Sequence, residues 1–128
     1  MDTKYTDDSG LPDVSDEMLG QSLHGLHNYT IVILKAGPNF SPPGPNRDDE
    51  VARIIWAHGK RNFAPRLANL MPIVCPVADG SSLTGVSIFD ADPDEVDRIM
   101  AQDPGVQAGV FTYEIHPTRS FPGSTLPG

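Results

Sequence analysis

Two residues far apart in the sequence have the side chains that proton-transfer chemistry needs. His58 lies within the stretch IIWAHGKRNF, residues 54–63, on the same side of a predicted helix as Ile54 and Ile55. Asp103 follows a second predicted helix, where the chain turns toward its last strand. A carboxylate that accepts a hydrogen bond from one imidazole nitrogen leaves the other nitrogen available as a base near neutral pH. The alternative is that His58 is a core histidine with local partners, and that Asp103 only stabilises a helix end.

Four further side chains are candidates for contact with a substrate. Arg61 and Asn62 follow His58 by three and four residues, so on a helix they lie beside it, with exposure to solvent as the alternative. Trp56 lies off this line and can line either a pocket or a dimer contact. Tyr113, on the last predicted strand, can donate to a substrate oxygen or serve only in packing. The sequence has no metal-ligand cluster, phosphate-binding glycine loop or nucleophilic elbow, so neither a metal nor a cofactor is expected.

The composition restricts the classes of partner. The 128 residues fit one domain, and a formal net charge of -8 opposes binding to the phosphate backbone of nucleic acids. No run approaches the roughly 18 apolar residues that span a bilayer. The N-terminus lacks the basic and apolar segments of a signal peptide. The single cysteine, Cys75, excludes an internal disulfide. We therefore expect a cytoplasmic protein that binds a small molecule and neither nucleic acid nor membranes.

The chain is predicted to have three parts. Residues 1–27 form an acidic N-terminal extension that is expected to be partly disordered. Within it, Ser15 is a predicted N-cap for a short helix over residues 16–24. Residues 28–117 form the main domain, and residues 118–128 form a C-terminal tail.

Hydrophobic periodicity and capping signals predict the order strand, helix, strand, strand, helix, strand in the main domain. The predicted elements are a strand over 29–36, a helix over 47–70, strands over 71–77 and 83–91, a helix capped by Asp92, and a strand over 110–117. This βαββαβ order is typical of the ferredoxin-like α+β fold, in which two helices cover one face of a four-stranded antiparallel sheet. Because the strands have apolar residues on both faces, a second copy is expected to cover the other face, giving a homodimer.

The segment MAQDPGVQAGVFTYEIHP, residues 100–117, resembles the signature end of the YCII-related domain family. In that family a helix ends in an Asp-Pro step, which a V-x-A-G segment and the final strand follow. The sequence KAGP, residues 35–38, is similar to the family's K-x-G-P, and His58 falls where the family has a helix histidine. The resemblance implies a ferredoxin-like subunit of a dimeric α+β barrel. It also implies an active site around a His–Asp pair, here His58 and Asp103.

These features together predict a small, cofactor-free enzyme of the isomerase or lyase type. His58, oriented by Asp103, would move a proton on a small oxygenated metabolite that is cyclic or aromatic. Isomerisation and elimination suit such a base because neither reaction needs redox machinery. The alternative is a non-catalytic dimer that binds a metabolite or serves as an accessory subunit.

Overall fold

A computed structural model describes residues 8–128 of the chain as an α+β fold. The elements in chain order are α1 (Asp16–Leu23), β1 (His27–Ala36), α2 (Asp49–Leu67), β2 (Ile73–Pro76), β3 (Leu83–Phe89), α3 (Pro93–Ala101), α4 (Pro104–Gln107) and β4 (Phe111–Ser120). The strands form one four-stranded antiparallel sheet in the order β2-β3-β1-β4. The predicted α+β class and antiparallel sheet are therefore confirmed.

The chain divides into two compact units. One unit, Asn28–Thr118, contains α2, α3, α4 and most of the sheet. The described part of the other unit comprises residues 8–27 and Arg119–Gly128. It contains α1, whose predicted N-cap is confirmed because the Ser15 side chain accepts a hydrogen bond from Met18 N at 3.1 Å. The predicted disorder of the acidic extension falls partly on residues 1–7, which lie outside the described residues.

One face of the sheet forms the core because strand residues alternate between buried and partly exposed positions. In β1 the buried residues are Thr30, Val32 and Leu34, and in β3 they are Gly85, Ser87 and Phe89. The register pairs Thr30 with Phe89, Val32 with Ser87, and Leu34 with Gly85, so these residues share one face. The buried core cluster consists of Val32, Leu34, Met71, Phe89, Val96, Met100, Val110 and Phe111.

The two long helices of the Asn28–Thr118 unit begin at aspartate N-caps. Asp48 accepts a hydrogen bond from Val51 N at 3.0 Å, and Asp92 accepts one from Glu95 N at 2.9 Å. The predicted cap at Asp92 is thus confirmed. Helix α2 ends at Leu67 rather than at residue 70, and Asn69, just beyond its end, adopts a left-handed φ of 59°. No helix within residues 8–128 combines the length and hydropathy needed to cross a bilayer.

A further helical turn, α4, follows α3 directly. From the sequence, Asp103 was expected only to follow the second predicted helix, where the chain turns toward its last strand. In the structure Asp103 is the N-cap of α4 and Pro104 occupies its first turn. Asp and Pro in these positions are start signals for a helix, because the carboxylate accepts free N–H groups and proline has the required φ.

The Pro-rich loop after β1 is attached to the segment that precedes β4. Gly37 N donates to Val110 O at 2.8 Å, and Asn39 donates through its backbone N to Gly109 O at 2.9 Å. A Cβ atom at Gly37 would lie 3.0 Å from the Gly109 carbonyl carbon and 3.1 Å from Phe111 N. Only glycine permits this close approach of the two backbones.

Strand β4 is joined to α3 by a side-chain hydrogen bond. The Tyr113 hydroxyl donates to Asp97 Oδ1 at 2.5 Å. Burial, followed by the hydrogen bond to Asp97 and the charge of that carboxylate, raises the pKa of Tyr113 to about 12. The protonated phenol is therefore the form that stabilises the folded chain.

We expect Tyr113→Phe to reveal this contribution through its pH dependence. The folded pKa lies above the unfolded value of about 10, so the contribution is complete below pH 10 and is lost as the pH rises toward about 12. The free energies of unfolding of wild type and Tyr113→Phe, measured in urea, should differ most below pH 10. The two values should converge as the pH rises from 10 toward about 12. A difference that is independent of pH would contradict this assignment.

Candidate active site

Helix α2 and the N-cap of α4 bring His58 and Asp103 together. His58 Nδ1 lies 2.9 Å from Asp103 Oδ1 and 2.9 Å from Oδ2. The histidine is 8% exposed and the aspartate 1%, so the pair lies in the protein interior. The two side chains are 45 residues apart in the sequence.

The buried carboxylate of Asp103 is held by backbone donors as well as by His58. Its Oδ2 accepts hydrogen bonds from Gly105 N at 2.9 Å and from Val106 N at 3.2 Å. A buried carboxylate is costly unless hydrogen bonds replace its lost hydration. Here the first turn of α4 supplies two donors and the imidazole supplies a third, so the same carboxylate caps a helix and orients a histidine.

This arrangement selects one tautomer of His58. A carboxylate can only accept, so the proton of the imidazole lies on Nδ1 and the lone pair on Nε2. Asn62, one turn further along α2, donates from Nδ2 to Nε2 at 3.2 Å. Both ring nitrogens are therefore hydrogen-bonded in this state, and a substrate that needs Nε2 must displace the Asn62 amide.

The ring of His58 packs against Phe111, the first residue of β4. The two ring centroids are 4.6 Å apart and the planes are inclined by 47°. The ring centroid of Phe40, in the loop after β1, lies 6.1 Å from that of Phe111. A Cβ atom at Gly105 would lie 2.6 Å from Phe111 Cδ2 and 3.0 Å from Asp103 Oδ2. The absence of a side chain at Gly105 thus lets the phenyl ring and the carboxylate approach each other.

A cavity of about 330 Å³ adjoins His58, and Asp103 is not among the described residues that line it. This volume is at the lower end of the roughly 300–1,000 Å³ that is typical of small-molecule sites. Its residues are mostly apolar, with a few polar ones. They are Val32, Leu34, Ile55, His58, Gly59, Asn62, Phe63, Arg66, Val74, Cys75, Pro76, Thr84, Gly85, Val86, Ser87, Met100 and Phe111.

The structure brings some of the sequence-predicted site residues together and separates others. His58, Asp103 and Asn62 form one hydrogen-bonded group. Trp56 is 73% exposed and Tyr113 is engaged with Asp97. Trp56, Arg61 and Tyr113 are not among the described residues that line the cavity.

Sequence reasoning missed three residues that shape the site, namely Gly105, Phe111 and Arg66. Arg66 could have been found from helical spacing, because it follows His58 by eight residues and Asn62 by four. Gly105 and Phe111 gave no comparable signal, since their roles depend on contacts between separate elements.

Comparison of the chain with protein-family models and with curated proteins gives no match. We therefore infer the chemistry of the site from the geometry of the dyad and the cavity.

We expect Gly105→Ala and Gly59→Ala to have opposite effects on stability. The new methyl group at position 105 would overlap Phe111 and should cost about 1–3 kcal/mol of unfolding free energy. Position 59 is open and lies inside α2, where alanine should add up to about 1 kcal/mol. Urea unfolding measures both changes. Equal effects of the two substitutions would show that the contact at Gly105 is not tight.

Proposed function

We propose that the protein is a small, cofactor-free enzyme of the isomerase or lyase type. In this proposal His58, oriented by Asp103, moves a proton on a small oxygenated metabolite that is cyclic or aromatic. The observation that carries it is the buried pair, with Nδ1 at 2.9 Å from the carboxylate, beside a cavity of about 330 Å³. A tautomerically fixed imidazole at a largely apolar cavity is suited to general base catalysis.

The proposed reaction begins when the substrate displaces Asn62 from His58 Nε2. The lone pair of Nε2 then takes a proton from a carbon next to the substrate's carbonyl group, and the electron pair moves toward the carbonyl oxygen. Asp103 stabilises the positive charge of the resulting imidazolium. In an isomerisation the proton on Nε2 exchanges with solvent, and Nε2 then delivers a proton to a different carbon. In an elimination the electron pair expels a leaving group from the neighbouring carbon, and the proton passes to solvent.

Asn62 can serve both protonation states of the base. Its amide nitrogen donates to the neutral Nε2 at 3.2 Å, and a rotated amide would present its oxygen to the protonated Nε2. Once displaced by the substrate, the amide can therefore rebind the ring in either protonation state. This property supports a role for Asn62 next to the reacting atoms.

We also propose that the chain is a YCII-related, ferredoxin-like subunit of a dimeric α+β barrel located in the cytoplasm. The strand order β2-β3-β1-β4 and the resemblance of residues 100–117 support this proposal. On the outer face of the sheet, Ile31 and Ile33 of β1 and Val86 and Ile88 of β3 are half-buried. Aliphatic residues of this kind are suited to packing against the same face of a second copy.

Deuterium incorporation in D₂O tests the catalytic proposal. We expect wild-type protein to catalyse exchange of the α-protons of one or more members of a panel of β,γ-unsaturated cyclic ketones and cyclic keto acids. His58→Gln should lower the exchange rate by about 100-fold or more, the typical contribution of a general base. His116→Gln is the matched control, because His116 is an exposed residue whose Nε2 pairs with Glu114.

Two outcomes would contradict the catalytic proposal. Exchange that survives in a folded His58→Gln variant would remove His58 as the base. Binding of panel compounds without exchange by wild-type protein would favour the alternative of a metabolite-binding or accessory dimer.

We expect Ile31→Lys to weaken the proposed dimer. A lysine would put a charge in the middle of the outer aliphatic face, where a second copy would desolvate it. Sedimentation velocity over a concentration series should show a dimer for wild type and a monomer for Ile31→Lys. Ala57→Lys is the control, because Ala57 is a small exposed residue of α2 rather than of the sheet. A wild-type protein that is monomeric throughout, or equal effects of both substitutions, would contradict the proposed interface.

A further inference from the structure

The cavity beside the dyad has one side chain with a permanent charge among the described residues that line it. This residue is Arg66, and no Asp or Glu lines the cavity within residues 8–128. Arg66 lies two helical turns beyond His58 on α2, with Asn62 between them. The cavity therefore has a base at one position, an amide next to it and a cation further along the same helix.

The charge of Arg66 has no partner in the described part of the chain. Arg53 and Arg98 pair with Glu50 and Glu95 on their own helices, at 2.5 and 3.5 Å. Within residues 8–128, by contrast, the Arg66 side chain has neither an ion pair nor a hydrogen bond. Its guanidinium group is thus available to a ligand.

The sequence around the cavity is positive although the whole chain is acidic. The formal net charge is -8, yet residues 51–78 contain no Asp or Glu. The same segment contains four cationic residues, which are Arg53, Lys60, Arg61 and Arg66, and only Arg53 has an ion-pair partner, Glu50, among the described residues. A local surplus of positive charge next to an apolar cavity favours an anionic ligand with an apolar body.

We propose that the ligand of this cavity is an apolar monocarboxylate whose carboxylate binds Arg66. We further place the carbon that loses a proton next to His58, and this part of the proposal rests on the proposed function. Arg66 follows His58 by eight residues, which corresponds to about 12 Å along the helix axis. Side chains on a helix lean toward its N-terminus, and because the arginine side chain is longer than that of histidine, its lean shortens this span. The carboxylate and the reacting carbon would therefore be at opposite ends of the molecule.

The chemistry of the cavity favours a carboxylate over a phosphate ester. A planar guanidinium group matches a carboxylate with two parallel hydrogen bonds. A phosphate dianion is usually held by several cations or by a set of backbone N–H groups at a helix N-terminus. Here one arginine lies in the last turn of α2, at the opposite end of the helix dipole.

Isothermal titration with phenylacetate and its neutral analogue phenylacetamide tests the proposal. We expect wild-type protein to bind phenylacetate at least about tenfold more tightly than phenylacetamide, a difference of about 1.4 kcal/mol. Arg66→Gln should remove that preference by weakening phenylacetate alone, and Arg66→Lys should restore part of it. Arg61→Gln is the matched control, because Arg61 is a cation of the same helix that is not among the described cavity residues. It should leave both affinities within about twofold of wild type.

The result that would overturn the proposal is equal affinity for the two compounds, or no measurable binding of phenylacetate to wild-type protein. A preference for phenylacetate that persists in Arg66→Gln would overturn it as well. Arg66 could otherwise serve only as a cation at the C-terminal end of α2. In that case Arg66→Gln would lower the free energy of unfolding and leave the difference between the two ligands unchanged.

The outcome can be separated from that of the proposed function. Deuterium exchange without a preference for the anion would leave His58 as the base and refute the role of Arg66. An Arg66-dependent preference without any exchange would leave the carboxylate site and refute catalysis.

Discussion

The buried carboxylate of Asp103 is the interaction on which the proposed site depends. It is 1% exposed and accepts hydrogen bonds from His58 Nδ1 and from the backbone N–H groups of Gly105 and Val106. A carboxylate in such surroundings is tolerated only when donors surround it. The chain meets this requirement by opening a one-turn helix at Asp103. The fold and the chemistry therefore use the same two oxygen atoms.

The surroundings of the dyad limit the freedom of the imidazole. Phe111 packs at 4.6 Å from the His58 ring, and Gly105 leaves the space that Phe111 occupies. The loop after β1 is hydrogen-bonded to the backbone just before Phe111 through Gly37 and Asn39. A base that is held by packing and by hydrogen bonds loses little freedom when a substrate binds, which is the condition for efficient proton transfer.

Much of the fold could be predicted from the sequence because local signals agreed with the tertiary structure. The β-branched residues of β1 favour a strand locally, and the aspartate before α3 caps the helix that follows it directly. Both elements depend on signals within a few residues of sequence, and both were predicted. The pairing of His58 with Asp103 was also predicted, with the help of the family resemblance of residues 100–117. What could not be read from the sequence is the close packing at Gly105 and the hydrogen bond of Tyr113 to Asp97. These contacts join different elements, so no periodicity or capping rule signals them.

The central claim is that Asp103 fixes the tautomer of His58, and nitrogen NMR of the imidazole ring tests it directly. Long-range proton–nitrogen correlation spectra of uniformly ¹⁵N-labelled protein distinguish a protonated ring nitrogen from one with a lone pair. Recorded above neutral pH and assigned with His58→Gln, they should show the His58 proton on Nδ1 and the lone pair on Nε2. Replacing Asp103 by Asn should reverse this order, because the Asn amide can donate to Nδ1. A wild-type His58 with its proton on Nε2, or with both tautomers equally populated, would contradict the account.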